Sequence, residues 1–483
     1  MSSPEAQRYI VAPLLYQQAA GEAVRSSLRT IHNTLQGKIV RSEHESGPKV
    51  LSLSALEAAV VKERFPGLLV EPDIRHSMAR SPLCPPLEPV MVPAAGSKTL
   101  KIEVKGDGAP VSGARVMVFT NLQERAGYEG VTGTDGALRL SVRSSDSSYP
   151  LIVILPAAGF WSRTLTAAPF QQELSISLKP LAISGFDWGL SVTDAPARGE
   201  RGGRDIKVAV IDSGIGPHGS LRVVDGKNLI REEAADAWQD LDGHGTHCAG
   251  VIAALAVAAS TWGYAPNVSL YALRVFGGPD GGGFASDIGD AIDWAVEAGC
   301  DIVSMSLTSE TASSYMRGKI EKATDRGVLC VAAAGNEGGA VGYPAKFRNV
   351  VGVSAIGKEG TFPADSVHAD ALGAVRSGDQ QYFFASFSNR GEEIDLCGPG
   401  VAITSTLPGE SFAAWDGTSM ACPHIAGIAA LALEASPAIR NAPRDAERMG
   451  LLSDRLLGLC TDLGMPLPYQ GSGMPKLGAL FSA

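Results

Sequence analysis

Four apolar runs constrain this chain more than anything else in it: IKVAVID (206–212), VSLYALRVF (268–276), DIVSMSL (301–307) and GVLCVAAAGN (327–336). They alternate with helix-like stretches. A strand that is apolar at nearly every position must be covered on both faces, which points to a mostly parallel sheet with helices on either side, an α/β fold. Ligand sites in such sheets lie at the carboxyl ends of the strands. Two of the runs end there in polar residues, Asp212 and Asn336.

At 483 residues the chain is too long for one ordinary core. Four segments differ in pattern. Residues 1–80 open on the apolar strand Tyr9-Ile10-Val11. A helix follows at 54–65, where Ser54 and Glu57 form a capping-box signature. The strand and turn GLLVEPD (67–73) complete a small α+β unit. A Pro-rich linker occupies 81–97. Residues 98–182 alternate as strands do, with Leu100, Ile102 and Val104, then Ala114, Val116 and Val118, then Leu138, Leu140 and Val142 after the turn at 134–136. They read as a small β-sandwich. Residues 186–483 carry the α/β pattern.

A formal charge of −10 and the lack of a basic run exclude nucleic acid as the main partner. No apolar stretch reaches the length of a membrane span. The start, MSSPEAQRYIVAPLLYQQ, shows no signal-peptide pattern. Seven cysteines, an odd number without a CxxC pair, suit reduced thiols better than a disulfide framework or a zinc site. The expectation is a cytoplasmic protein with no cofactor and no metal.

Chemistry gathers around four residues. Asp212 ends a strand. His244 lies in DLDGHGTHCAGVIAAL (240–255), at the start of a helix in which the second histidine, His247, is structural. Ser419 lies in WDGTSMACPHIAGIAALALEA (415–435), at the amino end of a buried helix, with Pro423 expected in its first turn. Asn336 ends a strand. A serine hydroxyl needs a base within hydrogen-bond reach, the base needs a carboxylate to hold its tautomer, and the oxyanion needs donors already in place. Each residue taken singly has a plain structural explanation, as a turn Asp or Asn, a packed His or a capping Ser. Their combination does not.

The blocks VAVIDSGI, DGHGTHCAG, GYAPNVSLYALRV, AAAGNEG and GTSMACPH, in this order, resemble the signature blocks of the subtilisin-like serine proteases over roughly residues 186–440. The resemblance implies a serine endopeptidase acting on peptides or proteins through an acyl-enzyme. It implies Ser419 as nucleophile, His244 as base, Asp212 as its orienting carboxylate, and Asn336 with the Ser419 N–H as oxyanion donors. It also implies that an extended substrate pairs with Gly281, Gly282 and Gly283 on one side and Ser306, Leu307 and Thr308 on the other. Ala333, Ala334 and Gly335 then line the opposite wall of the pocket for the side chain before the scissile bond, and Gly342 its base. Cys248, in HGTHCAG, is similar to the free cysteine beneath the catalytic histidine of the proteinase K branch.

The chain departs from that pattern in four places. Thr308-Ser309 stands where the family has Gly-Gly, so side chains narrow the pocket. The loops 256–262 and 216–221 offer few oxygen ligands, so no calcium is expected there. The stretch 358–381 is an insertion. Residues 1–80 resemble the inhibitory propeptide of the family, with a cut expected within 74–81, yet a β-sandwich separates them from the catalytic segment. A regulated binding protein and a dedicated maturation protease are the competing readings.

Overall fold

The computed structural model describes residues 6–480 apart from 15–20, 43, 80–89, 92–96, 184–185, 197–201, 231–232, 256–260 and 278–280. Most of the Pro-rich linker, Cys84 and the core of the loop at 256–262 therefore lie outside the described residues.

The four apolar runs become Lys207–Asp212, Ser269–Arg274, Ile302–Met305 and Leu329–Ala333, side by side in parallel within a nine-stranded sheet. Val350–Lys358 and Leu396–Pro399 extend the parallel order, whereas Leu372–Arg376 and Tyr382–Ala385 join antiparallel. Successive side chains point to opposite faces of a strand. Val208, Val210, Leu270 and Ala272 accordingly pack with the helices His244–Ala253 and Thr418–Glu434. Ala209, Ile211, Leu273 and Met305 pack with Ala285–Glu297 and Ser314–Asp325. Two separate cores on the two faces explain why these strands carry no polar alternation.

The expectation for Pro423 is overturned. It lies inside the helix Thr418–Glu434, five residues after its first residue, not in its first turn. Proline has no N–H, so the carbonyl four residues earlier, that of Ser419, loses its helical partner. The Ser306 hydroxyl donates to that carbonyl at 3.0 Å and the Cys248 thiol at 3.5 Å. Tertiary donors thus replace the missing rung.

Residues 97–178, with Val90–Met91, form a five-stranded and a four-stranded sheet. Leu100, Ile102 and Val104 from one and Val116, Val118 and Ile152 from the other share a core. This two-sheet unit is joined to the α/β sheet through residues 365–368. The Thr164 N–H donates to the Asp365 carbonyl at 2.7 Å, and Ser162 Oγ accepts from the Val367 N–H at 3.2 Å. Trp161 meets the ring of His368 edge-on, 5.5 Å between centroids. His368 Nδ1 in turn lies 2.7 Å from Asp416 Oδ1, both buried, three residues before Ser419.

The N-terminal unit is a four-stranded antiparallel sheet in the order Ile39–Ser42, Lys49–Leu53, Gln7–Pro13, Leu68–Pro72. The helix Ala55–Arg64 carries the expected capping box. A second helix, Glu22–Thr34, was not anticipated: its cap is Gly21, without a side-chain bond, and Leu28 and Ile31 are its buried residues. The unit docks through acids that cap helices of the α/β unit. Glu71 accepts from Ser313 Oγ, the Ser314 N–H and the Tyr315 N–H at 2.7–3.0 Å. Asp73 accepts from the Ser286 N–H and Oγ at 3.0 and 2.8 Å. Negative charge at a helix amino end is favourable there, because the first N–H groups lack partners. Arg8 completes the joint, paired with Asp73 at 3.0 Å and stacked 3.7 Å over the Phe284 ring.

Candidate active site

Asp212 ends its strand with the carboxylate aimed at the His244 helix. Its Oδ1 accepts from the Ser213 N–H at 2.7 Å and lies 2.7 Å from His244 Nδ1. Both side chains are fully buried. The other ring nitrogen of His244, Nε2, has no hydrogen-bond partner among the described residues. An imidazole held at Nδ1 by a carboxylate with Nε2 unengaged is set up to take a proton at that second nitrogen.

A carboxylate that sequence reading passed over fixes this helix start. Asp240 Oδ1 accepts from Ser213 Oγ and the Gly243 N–H, and Oδ2 from the Thr246 N–H and hydroxyl, all at 2.6–2.9 Å. Its signal was an acid three residues before Gly243, the residue at the cap of this helix. His247 is structural, as expected. Its Nε2 lies 3.0 Å from the Ile403 carbonyl, and its ring stacks 4.7 Å from that of Trp415.

Ser419 is the second residue of its helix, so its N–H is among those free to meet a ligand. Its hydroxyl donates to the Ser306 carbonyl at 3.1 Å. It makes no hydrogen bond to His244 among the described residues. Cys248 Sγ links the two residues: it approaches the Ser419 carbonyl and lies within 4.8 Å of ligand atoms of both Asp212 and His244. Complete burial pushes the Cys248 thiol well above the ordinary cysteine range, which leaves it a poor nucleophile.

Asn336 is held by its oxygen. Oδ1 accepts from the Thr418 N–H and hydroxyl, both at 2.9 Å, which fixes the amide so that Nδ2 faces the cleft. What it faces is the chain itself. The Ala79 carbonyl accepts from Asn336 Nδ2 and, at 3.1 Å, from the Ser419 N–H. Residues 75–79 run through the cleft as an added strand. Ser77–Met78 pairs antiparallel with Leu307–Thr308, and the Ala79 N–H donates to the Ser306 carbonyl at 2.9 Å. On the other side the His76 N–H donates to the Gly283 carbonyl at 2.7 Å, and Arg75 bridges Phe284 and reaches the Gly282 carbonyl. Gly281 borders the Arg75 guanidinium without pairing with the strand. Burial pushes His76 down to about 4.

Ala333 and Ala334 are buried beside the site. The Gly335 N–H donates to Thr418 Oγ1 at 3.1 Å, and Gly342 lies against Thr308. Glu337 is engaged by Asn389 at 2.7 Å.

Comparison with known proteins identifies the family. The model of the subtilase family matches residues 203–452, just over half of the chain. This chain belongs to the subtilase family. Subtilisin E of Bacillus subtilis (strain 168) is 40% identical to this subtilase over 295 residues, covering 59% of the chain and 69% of the relative. A subtilisin of Bacillus pumilus is also 40% identical, with 95% of its length covered. Subtilisin Savinase of Lederbergia lenta is 38% identical over 290 residues, again with 95% covered. The enzyme is a serine endopeptidase, and its substrates are peptides or proteins.

Proposed function

We propose that this subtilase hydrolyses peptide bonds with Ser419 as nucleophile, His244 as base and Asp212 as the carboxylate that holds the base, and that its first substrate is its own chain after Ala79. The observation that carries this reading is the Ala79 carbonyl between the Asn336 amide and the Ser419 N–H. Two donors on one carbonyl polarise it, which supports attack by the neighbouring serine once its hydroxyl has turned from Ser306, and the same donors would meet the oxyanion that attack creates. In the reaction Ser419 Oγ bonds to the Ala79 carbonyl carbon while its proton passes to His244 Nε2. Collapse expels the amine of residue 80, which takes that proton, and water then releases the Ala79 carboxylate. Asp212 stabilises the imidazolium throughout.

On this reading residues 1–79 are an inhibitory propeptide. The strand 75–79 fills the cleft by β-augmentation, and Glu71 and Asp73 hold the unit in place. The two-sheet unit at 98–182 is an accessory β-sandwich. These placements favour self-processing over a binding protein without catalysis.

A side-by-side preparation tests the proposal. Wild type should yield two fragments on a denaturing gel, one ending at Ala79, and should label at Ser419 with a fluorophosphonate. Ser419→Ala should stay full length and unlabelled. Identical full-length bands from both would refute processing, and no labelling of wild type would refute the triad.

A further inference from the structure

We infer that Thr308 closes the recess for the side chain preceding the scissile bond, so that the enzyme selects alanine, glycine or serine there and rejects large side chains. The inference rests on the reading of residues 75–79 as a substrate-like strand. With the Ala79 carbonyl on the two donors, the Ala79 methyl is the group that enters the recess. It is only 2% exposed and packs within the main core, so a single methyl is enough to fill the space offered.

Thr308 lies two residues along from Ser306, whose carbonyl receives the Ala79 N–H, and it pairs with Ser77 on the same strand. Thr308 is buried, and its side chain crosses to the opposite segment at Gly342: a methyl placed on Gly342 would stand 2.1 Å from Thr308 Oγ1. Gly342 therefore has to be glycine because Thr308 occupies the place of its side chain. One residue further on, Ser309 and Tyr343 exchange two backbone hydrogen bonds, at 2.9 and 2.8 Å, which zip the two segments together. Beyond Thr308 there is room, a cleft of about 790 Å³ bordered by Thr308, Glu310, Glu337, Gly342 and Tyr343, which Ala79 does not border. Space for a large side chain exists in that cleft, and Thr308 stands on its border. Threonine is branched at Cβ and stiff about χ1, and with its hydroxyl against Gly342 it has little freedom to swing aside.

Peptides copying residues 75–83, with a quenched fluorophore pair and the Ala79 position varied, test this with the full-length protein. Wild type should cleave the Ala, Gly and Ser peptides and lose roughly a hundredfold in kcat/KM for Leu and Phe, the discrimination a closed pocket can reach. Thr308→Gly, which joins the recess to the cleft behind it, should raise the Phe-to-Ala ratio of kcat/KM at least about tenfold, and Thr308→Ser should lie between. A gain of cleavage cannot come from misfolding. Equal cleavage of Phe and Ala peptides by wild type, or an unchanged ratio in Thr308→Gly, would overturn the inference and leave the proposed function standing. Wild type that neither labels with the fluorophosphonate nor cleaves any of the peptides would overturn both.

Discussion

Two buried histidine–aspartate pairs lie in the α/β unit, one beside Cys248 and the other ending at Asp416, three residues before Ser419, and their lengths are the same. His244 Nδ1 to Asp212 is 2.7 Å, and His368 Nδ1 to Asp416 is 2.7 Å. One ring leaves its second nitrogen unengaged beside the cleft. The other is packed between Trp161 and Phe362, and its Asp416 also accepts from the Ala402 N–H at 2.6 Å. A histidine–carboxylate bond in itself therefore says little about chemistry. What the second nitrogen faces decides whether the pair moves protons or holds a loop.

The difference predicts unequal consequences of one substitution. His244→Ala should lower turnover on the order of a million-fold with the fold intact. His368→Ala should leave measurable turnover but destabilise the protein by about 1.5–3 kcal/mol, the cost of a lost hydrogen bond to a charged group. Peptide hydrolysis and calorimetric melting on both variants check this, and a dead, stable His368→Ala protein would break the comparison.

A second contrast is the company each ring keeps. Cys248 lies under the first pair. A mercurial should silence the enzyme by displacing His244, and Cys248→Ala should escape that inhibition; unchanged inhibition would place the reactive thiol elsewhere. The Asn336 amide shares the Ala79 carbonyl with the Ser419 N–H, and Asn336→Ala should cost roughly a hundred- to thousandfold in kcat. Steady-state kinetics showing a loss confined to KM would deny it the oxyanion role.

The smallest effects concern the docked N-terminal unit, where burial acts on groups of opposite charge type. Burial pushes the Asp287 carboxyl up to about 7, outweighing Arg41 and Arg8 beside it, and pushes His76 down to about 4. Docking thus favours the neutral form of each. Through Asp287, docking weakens as pH rises from the ordinary carboxylate range to about 7. Through His76, it weakens as pH falls from about 6.5 toward 4. Each contributes up to about tenfold per pH unit, and the two oppose one another over most of that range. Removing one exposes the other. In His76→Leu, fluorophosphonate labelling relative to wild type at the same pH should rise with pH. In Asp287→Asn it should rise on acidification. Responses of the same sign would disprove the opposition.

The sequence was most legible where one face or one spacing decides the structure. The four apolar runs could only be strands covered on both sides, and strand ends and helix starts placed Asp212, His244, Asn336 and Ser419 in one region. The alternation in residues 98–142 gave the two-sheet core in the same way. What stayed hidden depended on contacts between distant segments. Nothing local marks Ala79 as the residue whose carbonyl meets Asn336, nor His368 as the partner of Asp416 across an insertion. Glu22–Thr34 lacked a capping side chain to announce it. Pro423 was misplaced because its cost is offset by Ser306 and Cys248, which are remote in sequence.

That proline has a mechanical consequence. By deleting one rung of the helix it hands the Ser419 backbone to Ser306, whose own carbonyl receives the N–H of Ala79. On the proposed mechanism, the strand that pairs with residues 77–79 and the turn that carries the Ser419 hydroxyl are thereby geared together. A peptide seated out of register would tug on the very atom meant to react with it.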